Sequence, residues 1–237
     1  MKFLYFIIFL ILYTHNFSKE KSDSIKIIRP FVKAEIGFGA SNVMFKEKND
    51  FKYRFNNNYS FNLISGFKYK DFYFGAGIGM LTFGYRLNDV ILLNPSDPIN
   101  GELDKAIFFD NKLYINIPIE FTYKKILKSR IFPIVGFGLN NLILTGKYFG
   151  YKGSEFSEYP KREFINYKEN IKEKRYIPSM SLNFGFGIKI KSHFTYEFGL
   201  VYNQTLIKTN YGIDRFGNLT NGLPYAIGIK CGINYNF

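Results

Sequence analysis

Residues able to do chemistry are few in this chain, and their spacing is poor for catalysis. There are two histidines, His15 and His193, and a single cysteine, Cys231. General-base activation of a hydroxyl needs a group poised near neutral pH, most often His. His15 falls in an apolar N-terminal segment. His193 follows Ser192 in what reads as a short turn, with no neighbour in sequence to constrain it. No G-x-S-x-G, H-E-x-x-H or paired-Cys motif occurs. Metal ligands would have to be carboxylates alone. Asp97 with Glu102 and Asp104, or Asp214 with Asn218, could hold Ca²⁺ weakly, but neither spacing fits an EF-hand loop. One Cys forms no internal disulfide. Catalytic residues, cofactor and metal are therefore all expected to be none, and the protein is expected not to be an enzyme.

The informative charges are those set into alternating apolar segments. From Tyr225 to Phe237 every second residue is bulky or apolar, and Lys230 lies between them with Ala, Gly and Asn. Only a strand sends alternate residues to opposite faces. The segment Met180–Lys191 does the same, with Leu182, Phe184, Phe186 and Ile188 on one face and Asn183, Gly185, Gly187 and Lys189 on the other. Helical spacing at i, i+3, i+4 and i+7 is absent. Eight such segments are expected: Pro30–Ser41, Tyr59–Lys70, Phe72–Tyr85, Leu113–Lys124, Ile131–Thr145, Ser179–Lys191, Phe194–Thr205 and Pro224–Phe237. Their connections alternate in length. Short ones fall at Lys70-Asp71, Lys125–Arg130 and Lys191–His193. Long ones fall at Asn42–Asn58, Arg86–Lys112, Gly146–Pro178 and Leu206–Leu223.

Even strand number, apolar alternation and this asymmetry of links predict an all-β fold. It is an eight-stranded antiparallel up-and-down transmembrane β-barrel, with short periplasmic turns and long external loops. A soluble eight-stranded barrel would have to turn the greasy faces inward, and an interior of that size cannot hold so many large side chains. The opposite faces, rich in Gly and Asn, suit a crowded lumen. On this facing Lys33, Glu35, Lys68, Glu120, Lys189, Glu197 and Lys230 point inward, toward the short-turn half. Buried charges must be paired, so these residues are expected to form a structural network plugging the lower lumen. A narrow channel or proton path through them is the functional alternative. Tyr69, Phe72, Tyr123, Phe194, Tyr196, Tyr235 and Phe237 cluster near strand ends as aromatic girdles. Cys231 falls on the lipid face.

Residues 1–18 read as a signal peptide: Lys2, an apolar run from Phe3 to Tyr13, then small and polar residues. That run is too short for a membrane anchor. Residues 19–29 read as a short periplasmic segment and 30–237 as the barrel. The chain has 237 residues, a net charge of +13 and 20% aromatic residues. So much apolar content excludes disorder. The basic residues are scattered with acids interleaved, which argues against nucleic acid as a partner. Function is expected on the long loops. The largest carries Tyr148, Phe149, Tyr151, Tyr159, Phe164, Tyr167 and Tyr176, a candidate external binding surface.

Two resemblances add to this. The final strand, closing on Phe237, resembles the C-terminal signature that the assembly machinery of bacterial outer-membrane barrels reads. LYINIPIEFTYK (Leu113–Lys124), a short turn and RIFPIVGFGLNN (Arg130–Asn141) resemble the PorT-like outer-membrane β-barrel family of Bacteroidetes-type bacteria. Tyr114, Ile117 and Pro118 match a Tyr-x-x-Ile-Pro strand. Pro133, Gly136 and Gly138 match the Pro-containing strand that follows it. The chain departs in Asn116, where an acid is frequent, and in Phe132-Pro133, where Arg-Pro-Tyr is common. The resemblance implies a bacterial outer-membrane location, with outer-membrane lipid and lipopolysaccharide around the barrel. It also implies a part in type IX secretion or gliding, with secretion-system proteins as partners.

Overall fold

The computed structural model describes residues 28–45, 53–93, 103–125, 130–152, 163–166, 175–191, 193–213 and 219–237. The expected signal peptide and most of residues 19–29 lie outside them. The described residues form ten strands: β1 (Arg29–Phe45), β2 (Tyr53–Tyr69), β3 (Phe72–Leu93), β4 (Leu103–Lys124), β5 (Ile131–Lys152), β6 (Glu163–Asn166), β7 (Tyr176–Lys189), β8 (Phe194–Thr205), β9 (Thr209–Ile213) and β10 (Leu219–Asn236). Each pairs antiparallel with its neighbours in the order β1-β2-β3-β4-β5-β7-β8-β10. β1 pairs with β2 on one side and with β10 on the other, from Phe31↔Asn236 to Phe45↔Gly222. The sheet therefore closes on itself as an eight-stranded up-and-down barrel, and closure removes the edges that an open sheet exposes. The two short strands lie at the long-link end, β6 on β5 and β9 on β10.

The expected strands are all present, and several run further than the alternation suggested. β3, β4 and β5 are 22 residues each. Much of the expected external links is thus continuous strand. At the other end the connections are tight. Tyr69 pairs with Phe72 across Lys70-Asp71, and Lys70 takes a φ of 55°, the positive φ that favoured two-residue hairpin turns require.

Alternation gives the barrel two unlike faces. Outward lie large apolar side chains in the open, among them Ile36 61%, Phe38 53%, Ile119 53%, Leu200 60% and Ile229 56% exposed. Aromatic pairs cover the outer face near the short turns: Phe72 with Tyr123 at 5.2 Å, Phe194 with Tyr235 at 4.8 Å, and Tyr235 with Phe237 at 4.8 Å between ring centroids. Inward lie the buried residues, and they come in layers. Phe31, Ile64 and Tyr73 form an apolar floor near the short turns. Polar and charged residues follow above it. The long-link half is filled by Val43, Leu81, Phe83, Tyr85, Leu142, Leu144 and Ile177. That apolar upper lumen differs from the Gly- and Asn-rich interior expected from sequence. An eight-stranded interior must be filled by side chains, and the inward face of β3 changes from Gly75, Gly77 and Gly79 to Leu81, Phe83 and Tyr85 to do it.

Glycine pairs face each other across neighbouring strands. Gly66 faces Gly75, and Gly185 faces Gly199. A Cβ on Gly185 would press on the Phe198 carbonyl and on Gly199 Cα at 2.6 Å. These positions need glycine for close approach of backbones.

Candidate functional site

The buried charges of the lumen come from strands that touch different neighbours, and the barrel's curvature brings them together. Lys33 and Glu35 lie two apart on β1 and so share its inward face. Lys33 Nζ is 3.0 Å from Glu35 and also bonds Glu120 of β4. Lys230 of β10 reaches Glu35 at 2.9 Å and Glu120 at 3.8 Å. A second pair, Lys124 of β4 with Glu197 of β8, stands beside this cluster. Three lysines thus face three glutamates, and the set is neutral overall.

Neighbouring amides add hydrogen bonds to the ion pairs, while the side-chain oxygens of Asn116, Asn183 and Asn234 are buried without a partner. Asn62 donates to Glu35 at 3.0 Å, and Asn116 donates to Asn62 at 2.9 Å. Asn116 also donates to Asn140 at 3.3 Å, and Asn234 donates to Glu197 at 3.3 Å. The Lys124 ammonium lies 3.9 Å from the centroid of the Tyr73 ring, a cation–π contact that offsets part of its desolvation. A cavity of about 20 Å³ borders the network, lined by Lys33, Glu35, Thr122, Asn183, Glu197 and Lys230 among others. That is room for roughly one water. Chemically the arrangement holds three cations and three anions in fixed pairs.

Of the seven charges expected in the network, the structure brings together Lys33, Glu35, Glu120, Glu197 and Lys230. Lys68 and Lys189 stand outside it. Both have inward parity, but neither reaches a carboxylate of the network. Lys68 Nζ sits 5.3 Å over the Tyr73 ring, and Lys189 is exposed. Lys124 belongs to the network and was not expected there. Its signal was its parity with Glu120 on the polar face of β4, at the last position before the turn.

The aromatic loop expected at Gly146–Pro178 is partly strand. Tyr148, Phe149 and Tyr151 lie on β5, and Tyr176 opens β7 at 66% exposed. A bulge opposite Leu113/Tyr114 reverses the facing of β5, so Phe149 and Tyr151 turn inward with Asp110 and Phe108. Lys147 pairs there with Asp110 at 3.3 Å. Phe164 lies on β6; Tyr159 and Tyr167 fall outside the described residues, as do Ser192, Asp97, Glu102, Asp214 and Asn218. His193 is exposed, with Nδ1 2.7 Å from the Asn236 carbonyl. Cys231 faces outward on β10, opposite Ile36 and Phe198.

The geometry defines a class: a small closed β-barrel, apolar outside and charge-paired within. No family model and no curated protein matches the chain in sequence. Solved structures similar to it are themselves outer-membrane proteins. Neisserial surface protein A is 12% identical, with 88% of this chain and 97% of that chain covered and a TM-score of 0.42. A major outer membrane protein from Thermus thermophilus is 10% identical over 89% and 100%, with a TM-score of 0.43. The outer membrane protein AlkL is 11% identical over 92% and 94%, with a TM-score of 0.42. Identities and scores this low assign no family and no activity.

Proposed function

We propose that the chain is an integral barrel of a bacterial outer membrane, without enzymatic activity, serving as an envelope structural or assembly component with a binding surface at its long-link end. The observation that carries this reading is the outer face. A continuous band of exposed Ile, Leu and Phe rings the barrel, far more apolar surface than a soluble monomer leaves open. A barrel has every backbone group of its wall paired, which is what hydrocarbon demands. The paired charges below and the apolar fill above favour a closed lumen over the channel alternative. The Lys147–Asp110 pair and the aromatic Tyr85, Phe108 and Tyr151 stiffen the projecting β3–β5 wall as a platform for the external links.

A second reading, an accessory part in type IX secretion or gliding, is favoured by one observation. The two segments that resemble the PorT-like family form a single hairpin, with Pro118 paired to Asn140. Copurification with a large export complex would support it. The main reading is tested by refolding the chain into lipid vesicles and recording across a planar bilayer. Heat-modifiable gel migration with no steady conductance is expected. Robust ohmic conductance would overturn the plug, and failure to insert would overturn the membrane barrel.

A further inference from the structure

We infer that the short-turn end of the barrel is a cationic collar that binds the phosphate headgroups of anionic phospholipid in the adjoining leaflet. The inference rests on the membrane-barrel reading above and deepens it.

The charges at the two ends differ in kind. The long links mix acids and bases throughout, as in KREFINYKENIKEKR from Lys161. Among the described residues, the three short turns and the strand ends beside them hold Lys68, Lys70, Lys124, Lys125, Arg130, Lys189 and Lys191 against a single acid, Asp71. Lys124 is spent inward on Glu197. The described remainder spreads along the rim. Arg29 of β1 stands directly opposite Lys68 of β2. Lys70 and Lys125 are exposed on the next turns, where the Lys124 amide donates to the Asp71 carbonyl at 2.8 Å. Arg130 and Lys189 are backbone hydrogen-bond neighbours at 2.8 Å, and Lys191 is exposed just beyond. Like charges set opposite each other across strands are destabilising. Lys68 and Lys189 keep inward parity at the mouth, so the surplus open to an external anion is carried by the exposed Lys70, Lys125, Arg130 and Lys191, with Asp71 the one acid on these turns.

The residues between these cations select a lipid over a soluble acidic partner. Arg130 adjoins Ile131, which is 58% exposed, and Lys191 adjoins Ile190, 48% exposed. Lys70 follows Tyr69, with its Nζ 5.7 Å from that ring, and precedes Phe72, 38% exposed. Lys125 lies two residues past Tyr123, about 7 Å along the strand. Each cation thus stands just beyond an outward aromatic or aliphatic side chain. A phospholipid meets both, its acyl chains on the apolar residue and its phosphate on the ammonium or guanidinium. An acidic protein would leave the apolar members unmet.

The test uses the full chain in nanodiscs of phosphatidylcholine with a minority of phosphatidylglycerol, and native mass spectrometry to count the lipids each barrel retains. Phosphatidylglycerol should be retained about threefold or more above its bulk share, and less so as salt rises. The variant Lys70→Gln/Lys125→Gln/Arg130→Gln/Lys191→Gln changes exposed side chains alone and should bring retention back to the bulk share. The matching variant at the long-link end, Lys105→Gln/Lys152→Gln/Arg175→Gln/Lys208→Gln, should leave it raised. Retention at the bulk share by the unaltered barrel would overturn the proposal, as would equal losses in both variants. So would a poly-glutamate peptide displacing the lipid from the collar. Heat-modifiable migration, measured on each sample, separates this failure from failure of the barrel to insert, which would overturn the reading beneath it.

Discussion

Lys124 carries the energetics of the lumen at the scale of one residue. It is 2% exposed, and its partner Glu197 is 11% exposed. Removing one member of a buried pair leaves an uncompensated charge, at a cost of about 3–5 kcal/mol. Lys124→Met should therefore lower the unfolding free energy in lipid by about that amount, measured by guanidinium titration. Adding Glu197→Gln should restore most of it; a double variant as unstable as the single one would contradict the pairing. On the outer face the sign of the argument reverses. Leu200 is 60% exposed and should lie in hydrocarbon, so Leu200→Arg should cost about 2–4 kcal/mol near the midplane. In a soluble barrel the same exposed substitution would cost within about 0.5 kcal/mol. The facing of Lys33, Glu35, Glu120, Glu197 and Lys230 was legible from alternation alone. Their partners were not, because which inward residues meet across the lumen depends on the stagger of eight strands. Lys68 and Lys189 show the limit of parity: it fixes the side of the wall and is silent on which partners lie within reach.

At the scale of the strand, the alternation located the eight barrel strands, missed the short β6 and β9 inside expected links, and misplaced several ends. The reasons are local. β2 is irregular between Phe55 and Ser60, β3 between Leu87 and Val90, and β5 opposite Leu113/Tyr114. A bulge inserts a residue and reverses the facing beyond it. The expected strands began at Tyr59 and stopped at Tyr85 and Thr145 for this reason. The period breaks there, although the strand continues. Thr145 holds its bulge by donating its hydroxyl to the Leu113 carbonyl at 3.0 Å. The glycine pairs are the other feature that strand propensity does not reveal. Gly185→Val would place branched carbon against the Phe198 carbonyl and Gly199. It should destabilise the barrel by about 1–3 kcal/mol, read as a lower midpoint of heat-modifiable migration. The same change at outward-facing Ala76 should be nearly neutral.

For the whole molecule, the strand order, the closure of β1 on β10 and the unlike faces all support the proposal that the solvent of the outer wall is lipid. The fold class followed from the sequence because an up-and-down barrel repeats one simple rule eight times. The filling of the upper lumen did not, since on β3 beyond Gly79 the large apolar residues pass to the inward face, as Leu81, Phe83 and Tyr85, while Thr82, Gly84 and Arg86 take the outward positions. The central claim is tested most directly by spin-label accessibility along β10 in lipid vesicles, with Cys231 replaced by Ala and single cysteines placed from Ala226 to Asn234. Oxygen accessibility should peak at Ile227, Ile229, position 231 and Ile233, and fall at Ala226, Gly228, Lys230 and Asn234, the inward set. A flat profile, or one whose peaks fall on the inward set, would contradict a membrane-spanning barrel with this facing.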